Sequence, residues 1–263
     1  MRPTVLMVVP TLGERLELLA KCLDSITSQG VAGLDLVVVA PHSSEVTTLV
    51  EAHGARMVSD PRNGISAALN AGFDAGLEGT AYCAWIGDDD LLAPGSLQAT
   101  VGALDSHPRA TMVYGWCDYI DATGAKVFAS RAGGLAARII TFGPNLIPQP
   151  GSLMRYADVM AVGGLDNDVR LAMDLDLYLR LRRRGDFVAL PRTLASFRWH
   201  ADSATVQSEN ASAEESDQIR MRYMEPGQAR AYEHLRWPGR WALRLAKRRV
   251  ERNVRRRQTA ATT

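Results

Sequence analysis

Three consecutive carboxylates, Asp88, Asp89 and Asp90, follow Gly87 at the end of the apolar run Ala81 to Ile86. Such groups repel one another and resist ionisation unless a cation or solvent relieves them. Their hard oxygens suit Mn²⁺ or Mg²⁺, which typically take one or two protein carboxylates and fill the remaining shell with substrate phosphates and water. A nucleotide diphosphate would supply those phosphates. The same acids also suit the N-terminus of a helix starting near Pro94, where the helix dipole favours negative charge. Read alone, the residues leave both roles open.

Three other groups are chemically eligible. Pro61-Arg62-Asn63-Gly64 precedes a stretch of small residues, Ala67, Ala68, Asn70, Ala71 and Gly72. A turn, a helix N-terminus and an arginine suit part of a nucleotide, although small residues equally let a helix lie close on a sheet. Asp174 stands near the start of a helix with Asp176. A carboxylate there is either a general base for a bound hydroxyl or an acid answering the helix dipole. Arg198-Trp199-His200 ends a strand-like run, and a lone histidine is most often an ordinary hydrogen-bonded residue.

The elements that must position these groups are read from periodicity. Strand-like runs at Thr4 to Val9, Leu34 to Ala40, Ala55 to Val58 and Ala81 to Ile86 alternate with helical segments near 14–29, 45–53 and 65–77. Buried strands separated by helices of that length predict an α/β fold, a Rossmann-like, mostly parallel twisted sheet flanked by helices. Ligands bind beyond the carboxyl ends of such strands, so the loops after Val9, Ala40, Val58 and Ile86 should share one rim. Beyond residue 110 the pattern loosens, with a strand-like Thr111 to Tyr119, glycines 133 and 134, and prolines 144, 148 and 150. This half should carry fewer regular elements. A helix resumes over 173–184, two strands are predicted at Phe187 to Leu190 and Thr193 to Phe197, and the end reads as helical from Ala213, broken at Pro226 and Pro238. The expected organisation is a domain over 1–205, with a nucleotide-binding half (1–110) and an acceptor-side half (111–205), followed by a helical, basic extension over 206–263.

Taken in order, the segments resemble glycosyltransferase family 2. They are Val8-Val9-Pro10-Thr11 with Glu14; Asn63-Gly64 with the Asn70 helix; Trp85-Ile86-Gly87-Asp88-Asp89-Asp90 followed by Leu92, Pro94, Gly95 and Leu97; Gly163-Gly164-Leu165-Asp166; Asp174 with Asp176-Leu177-Tyr178-Leu179-Arg180; and Arg198-Trp199-His200. The resemblance implies the GT-A fold and an inverting transfer of sugar from a UDP-, GDP- or dTDP-sugar to a saccharide or lipid-linked acceptor of the cell envelope. It implies that Pro10, Thr11, Glu14, Arg62, Asn63, Asp88 and Asp89 hold the nucleotide sugar. Asp89, Asp90 and His200 would hold Mn²⁺ or Mg²⁺, and Asp174 would be the base. Two positions depart from the family pattern: Ala40-Pro41-His42 stands where an acid usually touches the nucleobase, and Met173 replaces the acid before the catalytic aspartate. A nucleotidyltransferase is the rival enzyme, without a glycine-rich, lysine-containing phosphate loop near the N-terminus to support it. A non-catalytic nucleotide or carbohydrate binder is the rival from another class.

Charge is unevenly spread. Residues 236 to 257 carry a local charge of +9 within a chain of net charge +1, leaving −8 on the rest. Trp237, Trp241 and Leu245 fall at helical spacing there, which suits an interfacial helix on an anionic membrane or a helix packed on the body. Nucleic acid is not an expected partner, because no recognition motif accompanies the basic residues. Pro3 and Pro10 interrupt any secretory signal, and no run approaches the roughly 20 apolar residues of a membrane span, so the expected location is cytoplasmic or peripheral on the inner membrane face. Cys22, Cys83 and Cys117 are too irregularly spaced for a disulfide framework or thiolate metal site and read as reduced packing residues.

Overall fold

The computed structural model describes residues 4–199, 209–230 and 232–233. His200 and the basic stretch 236–257 lie outside the described residues. The first half alternates strands and helices as the periodicity predicts: β1 (Thr4–Pro10), α1 (Leu16–Thr27), β2 (Leu34–Ala40), α2 (Ser44–Ala52), β3 (Arg56–Ser59), α3 (Ile65–Asp74) and β4 (Thr80–Trp85). Then come β5 (Leu91–Leu92), α4 (Ser96–Ser106), β6 (Ala110–Ile120), β7 (Lys126–Ser130), α5 (Gly134–Ile139), β8 (Leu153–Arg155), α6 (Tyr156–Ala161), α7 (Met173–Arg182), β9 (Asp186–Arg198) and α8 (Glu209–Arg222).

Among the described residues the nine strands join one sheet in the order β3-β2-β1-β4-β8-β6-β9-β5, with β7 beside β6. Strands β3, β2, β1, β4, β6 and β9 run one way; β8, β5 and β7 run against them. This is the mostly parallel α/β sheet expected of a GT-A fold.

Both faces of the sheet are covered, which is why its central strands read as continuous apolar runs. Successive side chains alternate between faces. Leu6 and Val8 of β1 join Val37 and Val39 of β2 in a core shared with α3, α5, α6, α7 and α8. Val5, Met7 and Val9 join Leu36 and Val38 in the core under α1, α2 and α4. Fully burying each such valine or leucine contributes about 1.5–3 kcal/mol. Three buried cysteines pack in these cores as free thiols.

The small residues of α3 have a packing role. A Cβ on Gly72 would lie 2.3 Å from Val8 Cγ1 and 3.1 Å from Val39 Cγ2, so α3 lies against β1 and β2 at a distance only glycine allows. Asn70 on the same helix accepts from Leu165 N and donates to Leu165 O, both at 2.8 Å, tying the 163–166 turn to the first half of the chain.

As expected, the chain from residue 110 to 198 carries fewer elements than the part before it, and β7, β8, α5 and α6 among them are short, stabilised by pairing and packing instead of by long periodic runs. The two strands expected around residues 187–197 form a single strand, β9. Pro191 lacks the N–H that a ladder needs, and the register with β6 shifts from Tyr114 opposite Ala189 to Trp116 opposite Thr193. The resulting bulge takes the proline without ending the strand.

Candidate active site

The carboxyl ends of β1, β3 and β4 open on a cleft of about 1340 Å³, lined from the loops after those strands by Pro10, Thr11, Glu14, Arg15, Arg62 and Gly87 to Asp90. The opposite wall comes from the 142–150 loop, the start of α7, the end of β9 and α8 with Tyr232. The loop after β2 does not reach the cleft; Ser43 there caps α2 by accepting from Val46 N.

Asp88 and Asp89 converge on one cation of the protein itself. Arg15 donates from Nη2 to Asp88 Oδ1 at 2.7 Å and from Nη1 to Asp89 Oδ2 at 2.6 Å. Thr11 Oγ1 donates to the other Asp88 oxygen at 2.6 Å. Burial pushes the Asp88 carboxyl above its ordinary range, against the Thr11 hydrogen bond and the Arg15 charge, which favour ionisation. Burial disfavours the charged form of Arg15, but the two carboxylates outweigh it and hold the guanidinium more firmly protonated.

Asp90 is arranged differently. It is 3% exposed, and its Oδ1 accepts from Arg198 N at 2.8 Å. Burial pushes it well above the usual carboxylate range. Arg198 also donates to Asp89 O at 3.0 Å and to Asp121 O at 2.8 Å. The end of β9 thus holds the 88–90 loop through both the backbone and the side chain of Arg198.

On the opposite wall Asp174 occupies the first turn of α7. Asn145 Nδ2 donates to its Oδ2 at 2.9 Å, and Leu175 N donates to its Oδ1 at 2.7 Å. Asn145 is itself oriented, since its Oδ1 accepts from Ile147 N. Desolvation raises the Asp174 pKa despite these hydrogen bonds and the nearby Arg220 charge. A carboxylate with a raised pKa beside an open cleft is equipped to accept a proton. Its companion Asp176 is fully buried and structural: it pairs with Arg180 at 2.5 Å and accepts from Tyr223 OH at 2.6 Å. Arg180 in turn donates to Val162 O and Gly164 O, so the 162–164 turn is tied mechanically to α7.

Of the residues singled out by sequence, Pro10, Thr11, Glu14, Arg62, Asp88, Asp89, Asp90 and Asp174 line one cleft. Asn63 is exposed and does not line it. Arg62 carries a positive φ of 61°, held by its N–H on Asp60 Oδ1 at 2.8 Å. Left-handed backbone is uncommon at a non-glycine residue, and the Asp60 hydrogen bond is what holds it here. Sequence reasoning missed Arg15 and Asn145. Arg15 had a signal, as a cation next to Glu14 in the first rim loop; Asn145 had none beyond its place among prolines.

The donor set suits a divalent cation. Two carboxylates already share a positive group, the Arg15 guanidinium, and their oxygen donors are of the kind that matches Mn²⁺ or Mg²⁺. Among the described residues no group of three or more His, Cys, Asp or Glu side chains is placed to hold a metal ion by itself. A shell completed by phosphates and water fits that arrangement.

Comparison with known proteins bears on this cleft. The family model of Glycosyl transferase family 2 matches residues 7–162. The phosphoenolpyruvate guanylyltransferase of Sanguibacter keddieii is 32% identical over 124 residues, covering 44% of this chain and 41% of that protein. The uncharacterized protein y4gI of Sinorhizobium fredii is 29% identical over 190 residues, covering 69% of this chain and 20% of that protein. The chain therefore spans less than half the length of either curated relative. Among solved structures, S. aureus TarS 1-349 superposes with a TM-score of 0.59 at 15% identity, covering 84% of this chain and 70% of that one. The mannosyltransferase PcManGT of Pyrobaculum calidifontis, in complex with GDP-Man and Mn²⁺, superposes with a TM-score of 0.64 at 17% identity, covering 100% of this chain and 76% of that one.

Proposed function

The chain belongs to glycosyl transferase family 2, and we propose that it transfers a sugar, with inversion, from a nucleotide diphosphate donor to an acceptor hydroxyl. The observation that carries the reading is the opposition of two acidic groups across one cleft: Asp88 and Asp89 at the mouth of β4, and Asp174 on α7. The first pair suits a diphosphate with its cation; the second suits a hydroxyl losing its proton.

Asp174 accepts the proton of the acceptor hydroxyl while that oxygen bonds to the anomeric carbon from the side opposite the diphosphate. The bond from the anomeric carbon to the diphosphate oxygen breaks in the same displacement, so configuration inverts and a nucleoside diphosphate leaves. Asn145 and Leu175 N hold the Asp174 oxygens in place for that transfer. Asp89, with Asp88, would hold Mn²⁺ or Mg²⁺, which when bound supplies Lewis-acid neutralisation of the departing diphosphate. Asp90 is assigned to hold the loop, since one of its oxygens is committed to Arg198 N. Thr11 orients Asp88 from the β1 loop. Pro10, Glu14 and Arg62 are the proposed contacts of the nucleotide. Exposed Leu12, Ile65 and Phe142 at the mouth support an acceptor with an apolar portion, such as a lipid-linked saccharide.

The test is release of nucleoside diphosphate from UDP-, GDP- and dTDP-sugars with Mn²⁺, Mg²⁺ or EDTA, using wild type, Asp89→Ala and Asp174→Asn. Metal-dependent release from one donor is expected, lost in Asp89→Ala. Asp174→Asn should bind that donor normally and transfer nothing; full transfer would remove Asp174 as the base. The guanylyltransferase relative favours a second reading, nucleotidyl transfer, in which pyrophosphate is released from a nucleoside triphosphate. Pyrophosphate from GTP, with no nucleoside diphosphate from any sugar donor, would select it.

A further inference from the structure

The N-terminus of α7, which carries Asp174, has no cap of its own. Ala172 occupies the cap position without a side-chain hydrogen bond. Helix starts leave backbone N–H groups unsatisfied, and a carboxylate there is favoured both by hydrogen bonding and by the dipole. The carboxylate present comes from α8, more than 40 residues further along the chain. Glu215 Oε1 accepts from Arg170 N at 3.0 Å, and its Oε2 accepts from Leu171 N at 2.6 Å and Ala172 N at 2.8 Å. Three successive amides leading into α7 are thus held by one side chain. Asp174 lies two residues beyond the last of them.

We propose that Glu215 is a positioning residue for Asp174, so that α8 is a working part of the active site. The inference rests on Asp174 being the base. Charge-assisted hydrogen bonds are the stronger kind, and three on one carboxylate leave the 170–172 loop little freedom. Helix α8 has separate anchors: Ile219 is buried in the core, Tyr223 beyond its end holds Asp176, and Arg222 pairs with Asp166 at 3.3 Å. Loss of Glu215 should therefore loosen the entry to α7 while α8 stays docked. The donor-side groups Thr11, Arg15, Asp88 and Asp89 lie on other elements and should be untouched. A displacement of about 1 Å in a catalytic group can cost about 100-fold in rate.

The experiment compares Glu215→Ala and Glu215→Gln in the whole 263-residue chain. Glu215→Ala should lower kcat about 100-fold, leave donor affinity unchanged and speed hydrogen exchange of the 170–172 amides. Glu215→Gln keeps a carbonyl oxygen that can replace Oε2, so it should recover most of the rate. Unchanged kcat in Glu215→Ala, with Asp174→Asn inactive, overturns the positioning role and leaves the base in place. An active Asp174→Asn overturns both. Equal loss of donor binding, kcat and melting temperature in Glu215→Ala would make the residue merely structural, and that too overturns the proposal.

Discussion

Replacing Arg15 by alanine should make the protein bind Mn²⁺ more tightly in the absence of nucleotide. Arg15 now neutralises Asp88 and Asp89 through two charge-assisted contacts of 2.7 and 2.6 Å, so a metal must displace it from the oxygens it would use. Two such contacts on a well-buried pair would each contribute about 1.5–3 kcal/mol. The Arg15 side chain is 43% exposed, however, and solvent screening brings exposed pairs to about 0.2–1 kcal/mol each. Between these limits we take about 1–2 kcal/mol for the pair of contacts, discounted for exposure. Without that competition, and without a positive charge beside the site, Mn²⁺ affinity should rise about 5- to 30-fold. Calorimetric titration of wild type, Arg15→Ala and the control Asp89→Ala reads this directly, without any turnover. Equal or weaker Mn²⁺ binding by Arg15→Ala would refute the view that Arg15 occupies the cation position.

Two further outcomes are expected. Asn145→Ala removes a hydrogen bond that stabilises the ionised form of Asp174, so the pKa, already raised by desolvation, rises further and less base is available at a given pH; the acid limb of the kcat profile should move to higher pH, and an unmoved limb would separate Asp174 from the rate. Gly72→Ala adds a Cβ 2.3 Å from Val8 Cγ1, and overpacking by about 1–3 kcal/mol should exceed the roughly 1 kcal/mol that alanine gains in a helix, so urea denaturation should show a net loss; a gain in stability would mean α3 can move off the sheet.

How legible the site is in the sequence depends on the distance over which each feature acts. Asp88 to Asp90 announce themselves because a buried strand, Thr80–Trp85, runs straight into them. The alternation of strands and helices up to residue 106 follows from local periodicity, and three of the four predicted loops meet at one cleft because parallel strands put their carboxyl ends at one edge of the sheet. Beyond that point β8 and α6 are three and six residues long, too short for any period to show, and exist because β8 pairs with β4 and β6. Pro191 reads as a break between two strands, yet a bulge against β6 carries the chain through it.

The amino-acid sequence by itself determines that this chain folds as a helix-flanked, mostly parallel sheet with acids at the end of a strand, because apolar periodicity and strand length are local properties. Only the tertiary structure decides which acid meets which partner. Asp90 turns inward to Arg198 from β9, Asp88 and Asp89 meet Arg15 from the first loop, and Asp176 disappears under Tyr223 while Asp174 stays at the cleft. Adjacent carboxylates are chemically identical in sequence, and what distinguishes them is burial and partner, both supplied by residues tens of positions away.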